Sequence, residues 1–448
     1  MRKAQLNRLI IFLLTGIFIG IGTFLMIRYA QGYRPTKQGT IKGTGLLAAN
    51  SFPTGAEVYI NDRLTTATDA TLNLDPGEYL VEVKKDGYFP WSKRLVIEEE
   101  LVTQTNATLF PSSPALQPLT YTGAINPVPS PDGNKIAFAV ASASATAKNG
   151  LYVQDLPSSA IALNKSARQI TRNNADFDYT TATYTWSPNG SQILVSFEND
   201  RHVILDADRF NDLATLIDVT VRLPQIFSEW EEEITRTEST KLAKLPDFMV
   251  NVATSSATNL YLSPDGEKIL YQAQADFVIP ANLIPPLPST STQQETREVM
   301  ASNWYVYDLK EDKNFLIADS KTQASSLNKI NLVDEIGAIT PAELGTSPSA
   351  FKKLSLDHTP TESISLFNAQ YAPIALTNIQ WFPDSYHLIL VSDRGLDIIE
   401  YDQQNRTTIY AGPFDPAFVY PWPDGSKIIT RIQFSPDTAE NLYTIKLK

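Results

Sequence analysis

The chain has 448 residues, 43% hydrophobic and 19% charged, with 29 Pro, 20 Gly and no cysteine. Its length exceeds one ordinary domain, and its apolar share suffices for packed cores. Without cysteine there are no disulfides, cysteine-ligated zinc, iron–sulfur clusters or thiol catalysis.

The formal net charge of −12 hides an asymmetry. Residues 1–43 hold seven basic residues and no acidic one, which leaves 30 basic against 49 acidic residues in the remainder. A globular part this acidic lacks the clustered cations that phosphate requires, so no nucleic-acid partner is expected. With 20 Phe, 19 Tyr and frequent turn formers, the composition favours strands over helices.

Leu9 to Ile27 is an uncharged run of 19 residues, which just spans a hydrocarbon layer as a helix. Gly16 and Gly20 form a Gly-xxx-Gly pair, read as glycine tolerated in lipid rather than as a pairing motif. A cleaved signal peptide is the competing reading. It calls for a small-x-small site, and Arg28 intrudes just before Tyr29-Ala30. The run therefore reads as an uncleaved membrane anchor. Basic residues flank both ends, so charge does not orient it. The short N-terminus and long acidic remainder point to N-inside, with the later domains extracytoplasmic.

From residue 44 apolar and polar residues alternate. Ala56, Val58 and Ile60 interleave with Glu57, Tyr59 and Asn61, and Tyr79, Val81 and Val83 with Glu78, Glu82 and Lys84, Leu80 being the exception. That is the period of half-buried antiparallel strands. Turn formers punctuate them: Pro53-Thr54-Gly55, Asn61-Asp62 and Asp75-Pro76-Gly77.

Pro53, Gly55 and Ala56, then Pro76-Gly77-Glu78-Tyr79, then Asp86-Gly87-Tyr88 make this segment resemble the PEGA domain, a small β-sandwich module. Thr54 stands where the family has Glu, in a turn. The resemblance implies a binding or spacer module without catalysis.

A five-fold repeat dominates the rest. The copies are Ser130-Pro131-Asp132-Gly133, Ser187-Pro188-Asn189-Gly190, Ser263-Pro264-Asp265-Gly266, Phe382-Pro383-Asp384-Ser385 and Trp422-Pro423-Asp424-Gly425. Pro presets φ, Asp or Asn hydrogen-bonds its own backbone, and Gly supplies φ > 0, so the motif is a turn. A strand apolar on both faces follows each copy, then a second strand. Such units stack as in a β-propeller. The prolines lie 57, 76, 119 and 40 residues apart, so insertions are expected near 210–250, 275–300 and 320–370. Residues 224–248 read as a helix with Ile226, Trp230 and Ile234 on one face, and 280–296 as a flexible loop.

The repeats resemble TolB-like propellers, relatives of WD40 blades without the Trp-Asp dipeptide. Blade count is five to seven, with six favoured. Anchor, PEGA module and propeller together resemble a protein type seen in candidate-phylum bacteria. The fold class is all-β behind one transmembrane helix: 1–43 cytoplasmic N-terminus, helix and linker, 44–110 PEGA-type domain, 115–448 propeller. Only 26 residues follow Trp422, too few for a four-stranded blade. Residues 116–126 are therefore expected to pair with 427–447 and close the ring.

No catalytic site is evident and no cofactor or metal is expected. His202, His358 and His387 read as isolated, and no G-x-S-x-G elbow is present. Ser326-Leu327-Asn328-Lys329 fits Ser-x-x-Lys without its companion motifs and reads as a loop. Asn174, Asp176 and Asp178 alternate as calcium ligands do, but the loop glycine and distal glutamate are missing, and Asp206, Asp208 and Asp212 fail similarly. The leading function is a membrane-anchored binding or scaffolding protein whose propeller takes a protein or peptide partner. The alternative is a glycan-active envelope enzyme with two channel carboxylates about 5–10 Å apart.

Overall fold

A computed structural model describes residues 2–30, 34–35, 41–158, 166–287, 290–319 and 378–448. Helix α1 (Arg2–Ala30) contains an apolar stretch, Ile11–Arg28, long enough to cross a membrane and wholly unburied by the rest of the chain. Its Thr15 hydroxyl donates to Ile11 O at 2.8 Å, so the polar group is satisfied within the helix.

The chain, α1 included, divides into two compact units. The first comprises residues 1–109 with 287–293. Its sandwich opposes a four-stranded antiparallel sheet (Arg63–Ala67, Glu57–Ile60, Gly77–Lys84, Trp91–Ile97) and a three-stranded one (Val102–Gln104, Gly45–Ala49, Ala70–Leu74). In the latter, Val102–Gln104 runs parallel to Leu46–Ala48. The alternation in sequence becomes alternation in burial: Ala56, Val58, Val81 and Val83 are fully buried and pack on Trp91 and Leu47.

Among the described residues the second unit, residues 110–286 and 294–448, contains five antiparallel sheets of three or four strands arranged as propeller blades. Blade one is Ile125–Pro129, Lys135–Val140, Gly150–Asp155 and Arg168–Arg172. Blade two has three strands, Thr183–Trp186, Gln192–Ser196 and His202–Asp206. Blade three is Ala257–Leu262, Lys268–Ala273, Trp304–Asp308 and Lys313–Ala318. Blade four is Ile379–Trp381, His387–Ser392, Gly395–Glu400 and Thr407–Tyr410.

Blade five is Asp415–Pro421, Lys427–Ile432 and Asn441–Lys446, completed by Leu116–Pro118. The register pairs Leu116 with Ile445, Gln117 with Thr444 and Pro118 with Tyr443. The expected closure is present: a strand preceding blade one covers the last blade's edge, while Ile125–Pro129 pairs within blade one.

Both faces of each second strand are buried, as its apolar run requires. Ile136 and Phe138 face blade five's Phe418 and Ile429, whereas Ala137 and Ala139 face blade two's Ile193 and Val195. Blades three and four share a core through Leu270, Val306, Leu388 and Ile399, and blades four and five through Ile389, Ile398, Val419 and Ile428. The stretch 320–370, where the sequence leaves room for another blade, and His358 and Ser326–Lys329 with it, lie outside the described residues.

Blades two and three are joined differently. Helix α2 (Leu223–Leu242) lays Leu223, Ile226, Phe227 and Trp230 on blade two's Leu194. Helix α3 (Asp247–Asn251) and the turn after it lay Met249, Val252 and Ala253 on blade three's Ile269 and Tyr271. The helical insertion thus covers one face of blade two with α2 and one face of blade three with α3. The 280–296 region is held in part: Phe277–Val278 pairs with Glu298–Val299, and Arg297 donates to Pro280 O at 2.7 Å.

Candidate functional site

In the repeat turns the Ser, Asp or Asn and Gly positions each have a structural task. In the first three copies the Ser hydroxyl donates to the Asp or Asn two residues on, at 2.5 Å (Ser130), 2.9 Å (Ser187) and 2.5 Å (Ser263). The same hydroxyls accept from the N–H of Lys135, Gln192 and Lys268 at 2.9–3.0 Å. The Asp or Asn caps the N–H two residues later, Asn134, Ser191 and Glu267 in turn. Gly133, Gly190, Gly266 and Gly425 take φ of +76°, +65°, +73° and +66°. Only glycine does so without steric cost.

Copy four solves the same problem with other residues. Phe382 replaces the serine, so no hydroxyl reaches Asp384. His387 fills the role instead: its Nδ1 lies 2.7 Å from Asp384 Oδ2 and its backbone N–H donates to Oδ1 at 3.0 Å. His387 is therefore not isolated, in contrast to the reading from sequence. Burial pushes the Asp384 carboxyl up, but the imidazole's charge and these bonds outweigh it and hold it below the usual carboxylate range. Ser385 keeps the left-handed geometry at φ +62°, and its hydroxyl accepts the N–H of Asp265 in blade three at 3.0 Å.

Adjacent turns touch around the ring. A Cβ on Gly190 would lie 3.1 Å from Asp132, and one on Gly425 3.1 Å from Phe382. Lys135 crosses to blade two, donating to Gly190 O at 3.1 Å and to Asp208 at 2.8 Å. Lys268, buried beside Asp308, has its ammonium 4.8 Å from the ring centres of Tyr386 and Tyr401 in blade four.

A second inter-blade device was not recognised from sequence. Trp186 donates its indole N–H to Val128 O at 3.0 Å, and Trp381 to Tyr261 O at 3.1 Å. Each tryptophan directly precedes its turn motif, and each acceptor lies two residues before the motif of the preceding blade. The signal available was that shared position. These bonds bring the first strands of neighbouring blades together, so those strands form the inner ring. Among the described residues they carry one carboxylate, Asp415, which is bound by Arg431.

The candidate calcium positions are engaged in local turns. Asn174 accepts the N–H groups of Asp176 and Phe177, and Asp178 that of Thr180. Asp206 accepts from Asp208 N–H and pairs with Arg209, and Asp212 caps Ala214 N–H. No group of three metal-ligating side chains occurs among the described residues.

In the small sandwich, Gly55 turns at φ +71° and delivers Ala56, fully buried, into a pair of bonds with Thr68: Thr68 N–H to Ala56 O at 2.8 Å and Ala56 N–H to Thr68 Oγ1 at 3.0 Å. Thr54 is exposed and its carbonyl accepts from Lys85 at 2.6 Å, so the side chain at that position does not bear on the core. Tyr79 spans the Pro76-Gly77 turn to Asp75 O at 2.9 Å, and Gly87 at φ +80° lets Tyr88 N–H return to Lys85 O at 3.1 Å. Residues 44–113 match the PEGA domain.

No curated protein matches the chain. Solved structures similar to it include a TolB from Agrobacterium tumefaciens, at 12% identity over 75% of this chain and 91% of that one, TM-score 0.19. Others are the Cps50 (Swd1) β-propeller domain of Myceliophteria thermophila, at 12% identity over 73% and 98%, TM-score 0.25, and TolB from Acinetobacter baumannii, at 12% identity over 83% and 60%, TM-score 0.18. The propeller assignment rests on the stacked sheets, not on these likenesses.

Proposed function

We propose that this protein is a membrane-anchored, extracytoplasmic binding or scaffolding protein, with the PEGA module as spacer or envelope contact and the propeller as the binder of a protein or peptide partner. The observation that carries this is the unburied apolar helix α1 followed by two β-rich units. A helix with no protein to cover it needs another apolar surrounding, and lipid supplies it. A non-catalytic role is supported by the inner ring, where the one described carboxylate is committed to an arginine.

The absence of cysteine makes the test direct. Single substitutions Ala4→Cys, Thr65→Cys and Asp437→Cys in the full chain are probed on intact cells or spheroplasts with a membrane-impermeant maleimide. Labelling at 65 and 437 but not at 4 is expected. Labelling at 4 alone overturns the orientation, and hydrolysis of envelope glycan by the purified full chain overturns the non-catalytic role.

A further inference from the structure

We propose that His202 makes the seating of the helical insertion on blade two pH dependent, so that α2 is released as its surroundings acidify. His202 is 1% exposed, and neither ring nitrogen has a hydrogen-bond partner. It lies opposite Ser196 in the sheet, and strand alternation puts both on the face of Leu194 and Ile204 that α2 covers. Ser196 Oγ is likewise buried without a partner. Two neighbouring side chains therefore hide unsatisfied polar atoms on the sheet face whose Leu194 and Ile204 pack against Val219 and α2.

A buried imidazole in this setting is tolerated neutral and penalised when charged. Its surroundings are defined on each packed element. On its own hairpin Asp200 attracts a charged ring, and on the segment before α2 Asp218 does the same. Asp218, however, is already bonded to Thr220 through N–H at 2.9 Å and hydroxyl at 2.5 Å. On α2 the residues against the blade are Leu223, Phe227 and Trp230, and Glu231 has a buried carboxylate oxygen. Burial exceeds the pull of the two aspartates and holds the imidazole below its ordinary value. The released form exposes His202 to water, where it titrates near about 6.5. As pH falls below that value, protons favour the released form, about tenfold for each unit by which seating lowers the ring's pKa. The seated helix is thus fully stable above the ordinary value and weakens as pH drops towards the folded one.

The test is hydrogen exchange of the α2 amides in the full chain in detergent, at about pH 7.5 and about pH 5, corrected for intrinsic rates, in wild type and His202→Leu. Protection at 223–234 falls on acidification in wild type and stays constant in the variant, while blade five changes in neither. An equal fall in both proteins, or none in wild type, overturns the proposal. If the variant does not fold, labelled-histidine NMR of the wild type decides. The chain has three histidines, and one must titrate below about 6.5 in step with loss of α2 protection. If every ring titrates at or above that value, the proposal fails.

Discussion

Ring closure can be loosened by one hydroxyl. Thr120 is 7% exposed, just past the closing strand. Its Oγ1 donates to Asn441 Oδ1 at 3.0 Å and accepts the N–H of Leu442 at 2.9 Å. Thr120→Val keeps the shape and removes both bonds. The lost bond to Asn441 costs about 1 kcal/mol, and the stranded N–H of Leu442 about 1–2 more, giving about 2–3 kcal/mol. The bonds from Leu119 and Thr120 N–H to Leu442 O remain, so the strand stays paired but weaker. Urea unfolding of the full chain reads the loss, and hydrogen exchange places it at Asn441–Lys446. Tyr121→Ala, at a side chain 79% exposed, serves as control and stays within about 0.5 kcal/mol. A Thr120→Val loss no larger than the control's, with exchange at 441–446 unchanged, refutes the reasoning.

Two further predictions concern the repeat turns. Gly133→Ala adds a Cβ at φ +76° and 2.8 Å from the Tyr420 hydroxyl, so it costs more than the about 1–2 kcal/mol of left-handed strain. Ser385→Gly relieves that strain but removes the acceptor for Asp265 N–H, and is expected within about 1 kcal/mol of wild type. Equal denaturation midpoints for both variants would contradict this account of the turns. Asp384→Asn tests the His387 contact through pH. Asp384 titrates below its ordinary value in the fold, so its charge stabilises above about pH 4 and that contribution is lost as pH falls through the folded value. The midpoint gap between wild type and variant is full at neutral pH and closes on the acid side; a gap that persists unchanged there rules the contact out as a source of stability.

What the sequence showed clearly was local chemistry. Pro, Asp and Gly set a turn within four residues, and the apolar run after each copy carries its own evidence of two-sided burial. The face of α2 was legible for the same reason, since Ile226, Trp230 and Ile234 share a helical stripe. The missing strand of blade five could be inferred because a residue count exposes an unpaired edge. What stayed hidden depends on neighbours distant in sequence. Nothing near residue 230 says that its helix sits against blade two while α3 covers blade three. The indole bonds of Trp186 and Trp381 end on carbonyls 58 and 120 residues away. His387 was missed for a different reason: its partner lies three residues before it, but the pairing makes sense only once Phe382 is seen to displace the serine of the first three copies.

The closing strand also bears on the order of assembly. Thr120 and Leu442 are 322 residues apart in sequence, and joining ends so distant in a free chain costs about 5 kcal/mol in loop entropy. Three residues of pairing do not offset that cost. Stacked blades do, by bringing the two ends close before they meet. The last contact of the ring is therefore expected to be the slowest, and it waits for the C-terminal strand to leave the ribosome. Until then the partner edge of Leu116–Pro118 is missing, and an unpaired edge of that kind is open to pairing with other chains.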